Sequence, residues 1–134
     1  MKENVPKNKL PGEETILIVD DNTVLIDVTR EMLNCLGYRV LCARSGREAI
    51  EIYGRHRGDI DLVILDMVMP GLNGGDTFQI LQDMDPQVKV VLSSGYSFHD
   101  LVKVVMERGI KAFLHKPYSL QELSQKITEV LKAS

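Results

Sequence analysis

Only two of the 134 residues are cysteine, Cys35 and Cys42. No second cysteine pair and no nearby histidine stands at zinc spacing, which excludes a zinc module and a disulfide scaffold. Both lie in apolar stretches and read as reduced core thiols of a cytoplasmic protein. No apolar run approaches the roughly 18–20 residues of a membrane-spanning helix, and the N-terminus lacks a signal-peptide core, so no membrane contact is expected. Positive charge is not in excess: 16 Lys and Arg against 19 Asp and Glu leave a net charge of −3. Nothing in that balance calls for nucleic acid as a partner. Neither a Walker A sequence nor a G-x-G-x-x-G sequence occurs, so Gly71, Gly74 and Gly75 read as turn glycines, not as a phosphate cradle.

What remains is an ordinary profile for one domain with a real core, 44% apolar and 26% charged. Residues 1–14 carry three Lys and two Pro with little apolar content. They read as a disordered lead-in or linker remnant before a domain over 15–134. From Thr15 onward strands and helices alternate five times. The strands are expected at Thr15–Val19, Tyr38–Ala43, Asp61–Leu65, Val88–Ser93 and Lys111–His115. The first helix, about Thr23–Leu36, carries Leu25, Val28, Met32 and Leu36 on one face and stops at Gly37. The second opens on the capping box Ser45-x-x-Glu48 and buries Ala49, Ile52 and Tyr53. The third, about Gly75–Asp83, buries Phe78 and Leu81, and a fourth is expected over about Phe98–Arg108. The fifth opens on Ser119-x-x-Glu122 and turns Leu120, Leu123, Ile127, Val130 and Leu131 to one face. Five βα units imply an α/β fold, a doubly wound parallel sheet with helices on both faces. The flavodoxin-like strand order 2-1-3-4-5 fits best, with its switch point between strands one and three.

Three aspartates stand where hydrophobic runs stop: Asp20 and Asp21 after T-I-L-I-V, and Asp66 after D-L-V-I-L. If these strands are neighbours, three carboxylates crowd the carboxyl edge of the sheet, where such folds bind ligands. Two carboxylates about 4 Å apart repel by about 4 kcal/mol at an effective dielectric of about 20. A hard divalent cation relieves such a cluster, and all-oxygen ligands favour Mg²⁺ or Mn²⁺. The fourth strand ends in Ser93 and Ser94, and the fifth is followed by Lys116 and Pro117. Three carboxylates, a hydroxyl and an ammonium group suit phosphoryl transfer: a carboxylate as nucleophile, a metal bridging it to phosphoryl oxygens, Lys and Ser holding the rest. Singly, each piece has a plainer role: the aspartates as helix N-caps, Ser94 as a turn residue, Lys116 as a solvated surface group. All of them at strand ends is the informative feature.

Four strings, I-L-I-V-D-D (Ile16–Asp21), L-D-M-V-M-P-G (Leu65–Gly71), S-S-G-Y (Ser93–Tyr96) and H-K-P-Y (His115–Tyr118), carry a resemblance. Over about residues 14–133 the chain resembles the receiver domain of two-component response regulators. The resemblance implies that Asp66 is the phosphoacceptor. It implies that Asp21 and Asp66 ligate Mg²⁺ through side chains, with the Val68 carbonyl as a third ligand and Asp20 acting through water. Lys116 would pair with the phosphoryl group, and Lys116–Pro117 would be a cis peptide bond. Ser94 is preferred over Ser93 as the switch hydroxyl, because it lies 22 residues before Lys116 with the small Gly95 after it, matching the family register. The switch aromatic falls on Phe113, which lacks a hydroxyl. Val68 and Tyr96 fall on the two positions that would flank the water attacking an aspartyl phosphate; Val68 cannot hydrogen-bond it, Tyr96 is bulky, and neither offers a carboxylate or amide to position it.

The phrasing is most like receivers attached to hybrid sensor histidine kinases. The partner implied is a histidine kinase or a histidine phosphotransfer domain. A homodimer through the fourth helix, fifth strand and fifth helix is a further expectation. The chain ends after the fifth helix, so it is expected to be a receiver alone or one excised from a longer protein. Two other readings fit less well. A haloacid-dehalogenase-type phosphatase needs a second Asp two residues past the nucleophile, where Val68 stands. A flavodoxin-like FMN site needs a phosphate loop where Asp20, Asp21 and Asn22 would repel phosphate. A pseudo-receiver, folded and binding but never phosphorylated, is the remaining alternative, against which the complete acidic set argues.

Overall fold

Five short runs of β-branched and aliphatic residues form one parallel sheet in the order β2-β1-β3-β4-β5. The computed structural model describes residues 13–95 and 108–132. Its strands are β1 (Thr15–Val19), β2 (Arg39–Ala43), β3 (Leu62–Asp66), β4 (Val90–Ser94) and β5 (Ala112–His115). The helices are α1 (Thr23–Cys35), α2 (Gly46–Arg55), α3 (Gly74–Met84) and a C-terminal helix (Leu120–Lys132). The expected helix over about Phe98–Arg108 and most of the expected lead-in lie outside the described residues, as does Tyr96. β1 has the expected bounds, whereas β2 to β5 start one or two residues later than expected, where hydrogen bonding and hydrophobicity need not coincide.

Every residue of β1, β3 and β4 is buried. These central strands read as continuous apolar runs because both faces are covered. Leu17, Val19, Val63, Leu65 and Leu92 face α2 and α3, packing with Ala49, Tyr53, Phe78 and Leu81. Their alternates Ile16, Ile18, Ile64 and Val91 face α1 and the C-terminal helix, packing with Ile26, Leu33, Leu123 and Ile127. The parallel register pairs Val19 with Leu65 and Asp66 with Ser93, and brings Ser94 opposite His115. All five carboxyl ends therefore meet on one edge.

Three side-chain expectations are corrected. The buried face of α1 is Ile26, Thr29 and Leu33, whereas Val28 is 46% exposed and Leu25, Met32 and Leu36 lie half-buried on the flank. Two stripes of helical period run along this segment, and the aliphatic one is not the inner one. Thr29 belongs inside because its hydroxyl has a partner, the Tyr118 hydroxyl at 2.9 Å. That rotation also places Cys35 in solvent, since two residues past Leu33 is about 200° around the helix. Cys35 is exposed and so is not a core thiol, whereas Cys42 is half-buried and packs against the core, with Arg30 donating to its Sγ at 3.7 Å. Leu120 is 40% exposed. It is the first helical residue, and a side chain there leans back past the helix start. The capping box below it forms in both directions, Glu122 N–H to Ser119 Oγ at 3.1 Å and Ser119 N–H to Glu122 Oε1 at 2.8 Å.

Candidate functional site

Asp20 follows β1 directly and Asp66 is the last residue of β3, so pairing of the two strands brings both to the switch point. Each is 5% exposed, while Asp21 is open to solvent. One carboxylate oxygen from each of the three lies within 4.8 Å of the others. The aspartates are not spent on capping α1. Asn22 does that, its side chain accepting from Leu25 N–H at 3.1 Å, and its own N–H donates to Asp20 Oδ1 at 2.9 Å. The plain N-cap reading of Asp20 and Asp21 is thereby replaced.

Lys116 Nζ donates to Asp20 Oδ2 at 2.7 Å and lies 3.3 Å from Asp66 Oδ1. Its backbone is held as well, the Lys116 N–H donating to the Ser94 carbonyl at 2.8 Å, and the Lys116–Pro117 bond is cis as expected. Ser93 and Ser94 are both buried. Alternation along β4 separates them: Ser94 lines the pocket of about 250 Å³ that Asp20, Asp21, Asp66 and Lys116 share, and Ser93 does not. Val68 stands at the rim, 51% exposed, and its N–H donates to Asp66 Oδ1 at 3.4 Å. Phe113 lies apart from the carboxylates, half-buried and packed against the core that contains Phe78 and Leu92.

Burial pushes the Asp66 carboxyl up to about 6 from its ordinary 3.8; Lys116 opposes the shift and Asp20 adds to it. Burial works against the charged form of Lys116, yet its bond to Asp20 and the nearby Asp66 outweigh that and raise it. Among the described residues, three carboxylates against one ammonium leave two negative charges uncompensated. A hard divalent cation fits this set: the ligands are all oxygen, they converge, and the Asp21 side is open to water.

Gly74, the first residue of α3, was expected to serve a turn. Gly71 does so with φ +77°, but Gly74 is a contact glycine. A Cβ there would lie 2.5 Å from the Asp66 carbonyl oxygen and 2.7 Å from Met67 Cα. Without a side chain, α3 starts directly against the backbone that carries Asp66, and Gly74 N–H donates to the Met67 carbonyl at 3.0 Å. Gly74→Ala should destabilise the fold by about 1–3 kcal/mol, the usual range for overpacking. Gly75→Ala, whose Cβ meets nothing closer among the described residues than Asn73 Oδ1 at 3.5 Å, should be neutral or slightly stabilising. Urea melts of both variants check this, and equal midpoints would remove the contact role.

Besides Gly74, the sequence reading missed Asn22 as the cap and the Thr29–Tyr118 pair. Tyr118 stood in the H-K-P-Y string without a role.

The response regulator receiver domain model matches residues 16–128. The sensor kinase CckA of Brucella abortus is 32% identical over 92% of this chain, which spans 13% of that protein's length. Sporulation initiation phosphotransferase F of Bacillus subtilis is 30% identical over 88% of this chain and 94% of its own. Among solved structures, the CheX–CheY–BeF3–Mg²⁺ complex of Borrelia burgdorferi superposes with a TM-score of 0.86 at 27% identity, covering 90% of each chain. With five parallel strands in the order 2-1-3-4-5 and an acidic cluster at their switch point, the chain belongs to the response regulator receiver domain family.

Proposed function

We propose that this chain is a phosphoacceptor: Asp66 takes a phosphoryl group from a phosphohistidine of a histidine kinase or histidine phosphotransfer domain, and the modification switches a protein-interaction surface. The observation that carries the reading is Asp66 itself, a buried strand-end carboxylate 3.3 Å from Lys116 and clustered with Asp20 and Asp21. An Asp66 Oδ attacks phosphorus as the P–N bond of the phosphoimidazole breaks. The electron pair stays on the imidazole nitrogen, which takes up a proton, and a mixed carboxylic–phosphoric anhydride forms. Asp20, Asp21 and Asp66, with the Val68 carbonyl, would hold Mg²⁺ or Mn²⁺, which when bound neutralises charge on the carboxylates and the transferring group. Lys116 follows the charge, exchanging an aspartate oxygen for a phosphoryl oxygen, and Ser94 donates its hydroxyl to another. Drawing Ser94 inward opens space behind it for Phe113, which carries the change to the outer surface. The Mg²⁺ and BeF3 of the Borrelia complex and the phosphotransferase name of the Bacillus relative support this reading.

Acetyl phosphate and Mg²⁺ test it by intact mass: a gain of roughly 80 Da is expected. No gain would favour the pseudo-receiver. The phosphorylated form should be long-lived. Val68, exposed beside Asp66, offers no group to position the attacking water, and Tyr96 is the second flanking residue. Val68→Asn and Tyr96→Glu should each speed the decay of labelled protein at least about threefold. Unchanged decay in both would defeat the idea.

Among the described residues no helix is long and apolar enough to cross a membrane.

A further inference from the structure

Lys116 must leave one oxygen for another during the reaction, so what holds its backbone matters to the rate. β5 ends at His115 and the C-terminal helix begins at Leu120. The link between them is pinned at one end by the Lys116 N–H to Ser94 and at the other by the Ser119–Glu122 box. Pro117 has no N–H to offer. Between these pins, Tyr118 reaches to α1 and its hydroxyl meets Thr29 Oγ1 at 2.9 Å. Thr29 is 2% exposed, on the face that otherwise packs Ile26 and Leu33 into the core. The Tyr118 ring packs against the same apolar cluster. α1 is the helix that continues directly from Asp20, Asp21 and Asn22. The hydroxyl pair therefore ties the segment bearing two carboxylates to the link bearing the ammonium, across 89 residues of sequence.

We infer that Tyr118 is a positioning residue for phosphoryl transfer, holding Lys116 within reach of Asp66 through its hydrogen bond to Thr29. The inference rests on Asp66 as phosphoacceptor. A merely structural role is separable from it, because the two make opposite predictions for the double variant. Tyr118→Phe leaves the buried Thr29 hydroxyl without its partner, and Thr29→Val leaves Tyr118 without its own; both should lower stability. Thr29→Val/Tyr118→Phe removes both polar atoms at once and keeps the packing, so stability should recover. The tether stays broken, so the rate should not.

The experiment measures labelling by acetyl phosphate at saturating Mg²⁺, the Mg²⁺ affinity and the melting midpoint, all on the full chain. Both single variants and the double are expected to be slower by about three- to tenfold. Thr29→Ser, which keeps the hydroxyl, should label at the wild-type rate, and Mg²⁺ affinity should hold in all four. The inference is overturned if the double variant recovers its rate along with its midpoint, if Thr29→Ser is as slow as Thr29→Val, or if neither single variant is slower. Asp66→Asn run alongside separates the two readings. If that variant is labelled, the phosphoacceptor assignment falls; if it is not and Tyr118→Phe matches wild type, only the tether does.

Discussion

Asp66→Asn is expected to abolish the roughly 80 Da gain, with a fall of at least about a hundredfold in labelling. The amide nitrogen and oxygen are poor nucleophiles, and among the described residues neither neighbouring carboxylate is placed to substitute. Asp20 has both oxygens engaged, Oδ2 by Lys116 at 2.7 Å and Oδ1 by the Asn22 N–H at 2.9 Å. Asp21 is exposed, without the enclosure that directs a donor onto Asp66. Asp21→Asn should therefore still be labelled when Mg²⁺ is raised to compensate for a lost ligand. Full labelling of Asp66→Asn would move the acceptor to another residue. Asp66→Asn should keep the fold, because Asn is nearly isosteric and can still accept from Val68 N–H, so loss of labelling with an intact melt isolates the chemistry.

The strands and the acidic cluster were legible because both are written locally. A run such as Leu62–Leu65 is apolar at every position only where both sheet faces are covered, and the aspartates that follow such runs must lie on one edge once the order is known. Choosing between Ser93 and Ser94 needed the family register, and the period-two alternation of β4 independently puts Ser94 on the pocket side. What stayed hidden depends on partners distant in sequence. The rotation of α1 is set by Thr29, whose inward position makes sense only with Tyr118 opposite it. Gly74 is indistinguishable from Gly71 in the string P-G-L-N-G-G; only the approach of α3 to the Asp66 carbonyl tells them apart. Cys35 was misplaced for the same reason as α1, since it lies on the Leu25–Val28–Met32 side of the helix, which is not the inner one.

Removing the divalent cation should lower the melting midpoint by about 10 °C at neutral pH. A cation bound only by the native state adds RT ln(1 + [L]/Kd), about 2.7 kcal/mol at a hundredfold excess over Kd, and a domain of this size converts that to a shift of this order. The source is relief of repulsion among oxygens within 4.8 Å of one another, which Lys116 compensates only in part. Asp21→Asn should shrink the gain and raise the metal-free midpoint slightly, since one repelling charge is gone. The pH dependence gives the sharper test. Folded Asp66, raised by burial to about 6 from 3.8, holds its proton more tightly than the unfolded chain does. Between about pH 4 and about pH 6 the native state carries that extra proton, so its contribution to metal-free stability falls as pH rises through the window. Cation binding has the opposite sign, because it requires Asp66 ionised, and Kd should rise about tenfold per unit below pH 6. At pH 5 the same Mg²⁺ concentration then contributes only about 1.4 kcal/mol, about half of its neutral value. Melts in EDTA and in Mg²⁺ should therefore converge as pH is lowered from 7.5 to 5. A constant separation across that range would mean that Asp66 is ionised throughout or is not a ligand.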